Sequence, residues 1–399
     1  MHWSPISSAY VFAHADSNQQ LMGVLEKNSS GFRFDYAPSW LGNANCFSAD
    51  PLNLPLSSGG YTSSSGWGCF DDATPESWGR KVFLAVHKQV PANDIEWLLS
   101  MRGTGAGCLT FSAARSAVLP AVEVPEFSAL GQVIELAGNI DQGLRLIGLD
   151  DSQAKLLASG SAMGGARPKI VVRLDGQQWV AKLARRDDKF DQPLAEFASL
   201  SMAKDAGIPV PVCKLIKLGG HAVLLVKRFD RNGERWEHYL SARSLIAPGR
   251  MREGDVNGPV SYVCLAGVIQ AISLDAQADL RDLYRRMVFN IAIGNTDDHL
   301  RNHGFLHQRN DKFRLGPAFD LLPHPSQTAE QALVVGAHGR AATFENALSM
   351  CDRFDLTRAA ASTIINEVLS VTSQAETYFL RAGMLAPEAR MLASVCKSL

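Results

Sequence analysis

Asn295-Thr-Asp-Asp-His-Leu-Arg-Asn302 places five side chains able to bind a metal or move a proton within eight positions. It follows Tyr284-Arg-Arg-Met-Val-Phe-Asn-Ile-Ala-Ile293, whose apolar character predicts a buried helix with the polar cluster at its mouth. A helix cap would explain one or two such residues, because Asn and Asp favour turns. It does not call for all five. An Asp followed five residues later by Asn has the spacing of a phosphoryl-transfer loop, in which Asp accepts the acceptor hydroxyl's proton and Asn binds metal. Asp297 and Asn302 stand at those positions.

The other parts that phosphoryl transfer needs lie on either side. Downstream, Gly304-Phe-Leu-His and Lys312-Phe-Arg-Leu predict a hairpin, followed by Pro317-Ala-Phe-Asp320-Leu-Leu-Pro323. Asp320, eighteen residues past Asn302, sits behind an aromatic and between apolar flanks, where a second metal carboxylate belongs. By itself it reads as a turn Asp, and its place after the Asn302 loop with one hairpin between is what favours the metal role.

Upstream, Val223-Leu-Leu-Val-Lys-Arg-Phe229 reads as a buried strand, and Pro193–Ala206 follows helical spacing with Gly207 at its stop. Lys169-Ile-Val-Val-Arg-Leu and Gln178-Trp-Val-Ala-Lys-Leu flank Asp175-Gly176, a strong hairpin signal because both turn residues need φ > 0. Lys182 on the second strand is positioned to hold phosphates, with Glu196, fourteen residues on, as its partner. The plainer reading is a solvated Lys and a Glu favoured in a helix's first turn. Gly160-Ser-Ala-Met-Gly-Gly-Ala-Arg-Pro-Lys169 offers backbone N–H groups to phosphate oxygens. It lacks the Gly-Lys-Ser/Thr of a Walker A loop and is equally a connecting loop. The joint order of glycine loop, Lys, Glu, hinge strand, Asp-x₄-Asn, hairpin and Asp implies an ATP- and Mg²⁺-dependent kinase.

The whole chain agrees with such an enzyme. Its 399 residues, 46% hydrophobic and 20% charged, suit a globular protein of two or three folding units. Formal net charge is −1, from 39 basic and 40 acidic residues, with no run of five Lys or Arg. That argues against a dedicated nucleic-acid arm. The seven cysteines (46, 69, 108, 213, 264, 351 and 396) form no CxxC pair, which predicts buried thiols rather than disulfides or zinc. No signal-peptide pattern and no membrane-length apolar stretch is visible, so a cytoplasmic protein without membrane contact is expected.

Residues 1–80 read as strands and turns, with a hairpin around Asn28-Ser-Ser-Gly31 and a Gly-, Ser- and Pro-rich loop over 50–79. Asp94–Leu99 predicts a capped helix and Gly107–Phe111 a strand; two short helical segments are expected between 126 and 160, and helices over the last fifty residues. The expectation is an α+β, bilobal, protein-kinase-like fold. It divides into a small β-rich N-terminal subdomain (1–120), a nucleotide-binding lobe (121–235) and a large helical C-terminal lobe (236–399).

These motifs resemble the HipA-like Ser/Thr kinases, known as toxins of toxin–antitoxin pairs. Gly164-Gly-Ala-Arg-Pro-Lys169, Glu196-Phe-Ala-Ser-Leu-Ser-Met-Ala, Val226-Lys-Arg-Phe-Asp-Arg231, Gly294–Asn302 and Phe319-Asp-Leu-Leu-Pro323 carry the resemblance in order from about 155 to 330. Gly31–Tyr36 and Pro75-Glu-Ser-Trp-Gly-Arg80 extend it more loosely towards the N-terminus. The resemblance implies that Asp297 is the catalytic carboxylate and that Asn302 and Asp320 bind Mg²⁺. It implies that Lys182, paired with Glu196, holds the ATP phosphates under Gly164, Gly165 and Ala166. The hinge against adenine would run from Val226 through Lys227 to Phe229, with His299 supporting the loop or the phosphates. It also implies a protein substrate that serves translation, and a small helix-turn-helix antitoxin partner that carries most of the DNA contact.

Two departures stand out. Arg301 replaces the family's usual Lys, which differs in geometry and hydration. The autophosphorylated Ser of some members aligns with Ala162, leaving neighbouring Ser161 and Ser159 as candidates. Two alternatives remain open: a small-molecule kinase of the aminoglycoside phosphotransferase kind, which shares the Asp-x₄-Asn spacing, and a non-catalytic docking partner of a DNA-binding antitoxin.

Overall fold

The computed structural model describes residues 5–15, 18–87, 90–101, 103–116, 124–143, 153–154, 156–157, 164–246, 260–325 and 329–397. An antiparallel sheet comes first, built from β1 (Ser8–Ala15), β2 (Asn18–Asn28), β3 (Gly31–Tyr36), β4 (Tyr61–Ser63) and β5 (Leu109–Ser112) in the order β4-β3-β2-β1-β5. The β2–β3 turn falls where the sequence predicts it, and Gly31, opposite Asn28, takes φ 134°. Along β3 the period of two buries Phe32, Phe34 and Tyr36 while Arg33 faces water.

The predicted loop over 50–79 is more ordered than its composition suggests. It contains β4, a four-residue helix (Gly68–Asp71) and the start of α1 (Ser77–Val86). The reason is tertiary: Trp78 and Val82 of α1 are fully covered by the second sheet, and that burial outweighs weak local propensity. The predicted helix after Asn93 is present as α2 (Asp94–Ser100), with Asn93 Oδ1 accepting from Glu96 N at 3.0 Å. Between 126 and 160 the described residues give a 3₁₀ turn running into α3 (Leu130–Asp141).

The second sheet has the order β6-β7-β9-β8, from β6 (Lys169–Leu174), β7 (Gln177–Leu183), β8 (Cys213–Leu218) and β9 (His221–Lys227), with α4 (Gln192–Asp205) between β7 and β8. Its first hairpin turns on Asp175 (φ 53°) and Gly176 (φ 71°), as the Asp-Gly pair requires. Helices α1 and α3 cover one face, where Trp78, Val82 and Val133 meet Ile170, Val172 and Ala181.

A short hairpin, β10 (Arg231–Asn232) and β11 (Arg235–Trp236), leads to β12 (Tyr239–Ser241). This strand joins β13 (Gly304–Arg309) and β14 (Lys312–Leu315), the predicted second-half hairpin, in the order β12-β13-β14. The longer helices of the described C-terminal part are α5 (Tyr262–Ile272), α6 (Ala276–Ile293), α7 (Arg358–Thr372), α8 (Ala375–Arg381) and α9 (Ala386–Ala393), with short helices at Ala242–Ile246 and Phe344–Leu348. Helix α6 is capped by Asp275 and ends at left-handed Gly294 (φ 69°), so the chain leaves it abruptly into Asn295. Met287, Phe289 and Ile291 bury its faces in one apolar core that also takes in Leu25 and Phe34 of the first sheet. None of the described cysteines forms a disulfide; Cys69, Cys108 and Cys351 are buried and the other four half-buried, a looser arrangement than uniform burial. No described helix is long and apolar enough to cross a membrane.

Candidate active site

A cleft of about 510 Å³ is lined on one side by the second sheet and α4 and on the other by the segments after α6 and β14. Strand alternation sets Val180 and Lys182 into it while Ala181 between them is buried on the other face. Lys182 Nζ donates to Glu196 Oε1 at 2.6 Å and also pairs with the Asp320 carboxylate. Glu196 is held there because α4 starts five residues earlier, at the Asp191 cap whose side chain accepts from Leu194 N at 3.1 Å. Burial opposes the charge on all three groups. Asp320 and Glu196 nonetheless hold the Lys182 ammonium above its ordinary range, and Lys182 with Lys169 holds the Asp320 carboxyl below its own. Glu196 stays above the usual carboxylate value because burial outweighs its lysine.

The loop after α6 sorts its two adjacent carboxylates. Asn295 anchors the loop, its Nδ2 donating to Asn290 Oδ1 at 2.9 Å, and its own Oδ1 accepts from Asp297 N at 3.3 Å. Asp297 is exposed and faces the cleft, as does His299. Asp298 turns inward, 2% exposed, accepting from Tyr262 Oη and facing His303 Nε2 at 3.1 Å. Burial raises its carboxyl, but His303 and Tyr262 outweigh that and keep it low. Asn302 Nδ2 donates to the Asp297 carbonyl at 3.3 Å, which leaves Oδ1 as the atom it can offer the cleft. Asp320, the only acidic residue of its segment, adopts a left-handed φ of 55°.

Gly164, Gly165 and Ala166 line the same cleft, and Gly165 needs its φ of 103°. At the end of β9, Val226, Lys227 and Phe229 line it too, with Phe229 at 5.8 Å from Phe319. Thus all twelve nucleotide, metal and catalytic candidates that the structure describes share one cavity. Ser159 and Ser161, like Ala162, lie outside the described residues.

Among the cleft residues that sequence reasoning did not assign a role, three charged ones make notable contacts. Lys169 stands opposite Lys182 in the β6–β7 ladder, and its Nζ donates to Gly164 O at 2.6 Å. Its flanking Pro168 and Ile170 carried the same signal as the flanks of Lys182. Glu76 reaches in from the start of α1, and Asp72 closes the far wall with its carboxylate on Ser241 N and Oγ (2.8 and 2.7 Å) and Ser244 Oγ (2.7 Å). Neither had a local signal, because each acts on partners far along the chain.

Just past the end of β9, a buried cluster ties the first sheet to the second. Asp230 accepts from Arg228 Nε and Nη2 (2.9 and 2.7 Å), Arg231 Nη1 (2.9 Å) and Gly107 N (2.9 Å). Both arginines also donate to Gly105 O, at 2.9 and 3.0 Å.

A sheet-rich lobe and a larger helical lobe, meeting at a cleft that holds a Lys–Glu pair against two acidic loops, define a bilobal, protein-kinase-like α+β fold. The chain belongs to the HipA-like family: residues 161–375 match the HipA-like C-terminal domain and 13–112 the HipA N-terminal domain. It superposes on HipA of the Shewanella oneidensis MR-1 toxin–antitoxin system, solved with HipB and operator DNA, with a TM-score of 0.71 at 17% identity, covering 97% of this chain and 94% of that one. Among relatives, the presumed kinase Y4mE of Sinorhizobium fredii is 22% identical over 344 residues, 79% of each chain. Y4dM of the same organism, also named a presumed kinase, is 26% identical over 243 residues, 56% of each. A presumed kinase of Haemophilus influenzae is 26% identical over 142 residues, 33% of this chain. The chain spans 41% of the Haemophilus protein's length and 56% of Y4dM's.

Proposed function

We propose that this protein is an ATP- and Mg²⁺-dependent Ser/Thr protein kinase of the HipA type, acting in the cytoplasm on a cellular protein of the translation machinery. The observation that carries the reading is the gathering of Lys182, Glu196 and Asp320 opposite exposed Asp297 in one cleft. Adenine lies against the hinge from Val226 to Phe229, and Lys182 and Lys169 face the inner phosphates beneath Gly164, Gly165 and Ala166. The acceptor hydroxyl oxygen bonds to the γ-phosphorus as that phosphorus parts from the β–γ bridging oxygen. ADP leaves, and the hydroxyl proton passes to Asp297. His299 supports this loop.

Mg²⁺ prefers hard oxygen donors and keeps several water or phosphate ligands. The Asp320 carboxylate and the Asn302 Oδ1, turned outward by its amide's bond to Asp297 O, fit that preference. Bound there, the ion would neutralise phosphate charge. No group of three His, Cys, Asp or Glu side chains suited to a metal occurs among the described residues. A small DNA-binding antitoxin is the expected partner, and DNA contact passes mostly through it, in keeping with the net charge of −1.

The test is incubation with γ-labelled ATP and Mg²⁺ in cell lysate, beside Asp297→Asn. A labelled protein band with wild type and none with the variant is expected. Label found only in small molecules refutes the protein-kinase reading. Phosphopeptide mapping of the same sample tests Ser161 and Ser159 as self-modified positions; phosphate on neither removes that part.

A further inference from the structure

Glu76 belongs to the N-terminal part of the chain, yet it touches both loops of the cleft. Its Oε2 accepts from Gly165 N at 2.5 Å, and its Oε1 lies 2.9 Å from Arg301 Nε. The contact is close-fitting: a Cβ on Gly164 would meet Glu76 Cδ at 3.1 Å, so a larger residue there would have to shift the carboxylate slightly. Helix α1 fixes the same loop twice more, Trp78 N donating to Gly165 O at 3.2 Å and Trp78 Nε1 to Lys169 O at 2.9 Å. Glu76 is the N-cap residue of α1, but its side chain makes no bond to the helix's own N–H groups. Its carboxylate reaches into the cleft instead.

The two donors it holds, a glycine-loop amide and a guanidinium, are those that recognise phosphate oxygens. Arg301 lies four residues after Asp297 in the same loop, and Gly165 lies on the nucleotide side. A carboxylate joining them therefore sits where the outermost phosphate would be, beyond the inner phosphates faced by Lys182 and Lys169. We propose that Glu76 is a specificity-determining residue that competes with the terminal phosphate of a nucleoside triphosphate, so the cleft accepts a diphosphate with Glu76 in place and a triphosphate only by displacing it. The inference rests on the nucleotide reading of the cleft. It makes the N-terminal subdomain part of the nucleotide site, with a carboxylate that returns to its donors once the γ-phosphate has been transferred.

Glu76→Gln keeps the size and one acceptor oxygen but removes the charge, and Glu76→Ala removes the contact. Binding of ADP and of a non-hydrolysable ATP analogue, both with Mg²⁺, is measured by calorimetry for wild type and both variants. Glu76 and Arg301 are partly exposed, at 27% and 37% of the side chain, so the gain is moderated by solvent. The expected result is analogue binding about five- to tenfold tighter in the variants, with ADP affinity changed less than about twofold. An unchanged analogue-to-ADP ratio overturns the inference. Equal weakening of both ligands overturns it as well, and marks Glu76 as a structural support for the loop. Wild-type protein that binds neither nucleotide overturns the parent reading, and this inference with it.

Discussion

Asp230→Asn should be among the most damaging isosteric changes in the molecule. The carboxylate accepts four hydrogen bonds, is 4% exposed, and is the counter-ion of two guanidinium groups that are themselves buried. Burial alone would raise its carboxyl, but Arg228 and Arg231 hold it far below the carboxylate range. Arg231 is lowered by burial and by the like charge of Arg228, and the Asp230 carboxylate is the main group opposing that fall. An amide keeps the shape, removes the charge, and turns one acceptor into a donor facing arginine. Breaking a buried pair this way costs about 3–5 kcal/mol, since both cations stay buried without compensation. The assay is urea unfolding at neutral pH, followed by circular dichroism and fluorescence, with Arg33→Gln as a control for an ion pair open to solvent. A pH series adds a sign. The folded value lies below the unfolded 3.8, so the contribution is complete above that value and is lost as pH falls through the folded one. The gap between wild type and variant should stay constant from about pH 5 to about pH 8 and close only below about pH 4. Adding Arg231→Met to the variant should recover part of the loss, as removal of one stranded cation requires. A variant as stable as wild type, or a gap that varies across neutral pH, would refute the reasoning.

Lys182→Met leaves Glu196 and Asp320 facing each other without their cation; phosphoryl transfer to protein should fall about 10²–10³-fold, measured as initial rate with labelled ATP. Asp72 is pushed up to about 6 by burial, against the bonds from Ser241 and Ser244, so the folded protein takes up a proton that the unfolded chain, at 3.8, does not. Stability should therefore decline as pH rises from about 4 to about 6, and Asp72→Asn should flatten that interval in a series of thermal melts.

What the sequence could disclose depended on the range of the interaction. The Asp175-Gly176 hairpin and the end of α6 at Gly294 were legible because each rests on φ > 0 at named residues, a demand local to the chain. The helix from Ser77 was not, because it forms on a sheet whose strands begin at Lys169. The pair Asp297-Asp298 marks the boundary between the two cases. Spacing to Asn302 singles out Asp297, yet nothing nearby says that Asp298 is the one to be buried. That is decided by Tyr262, on a helix thirty-six residues earlier, and by His303. Glu76 lies wholly on the far side of that boundary. Its role depends on one loop eighty-nine residues downstream and on Arg301, and a carboxylate beside a tryptophan in a Gly- and Ser-rich stretch carries no periodic signal. A motif can therefore specify which groups do chemistry while staying silent about which distant carboxylate competes for them. If the competition is real, Glu76→Gln will alter triphosphate binding while every motif residue of the cleft is still in place.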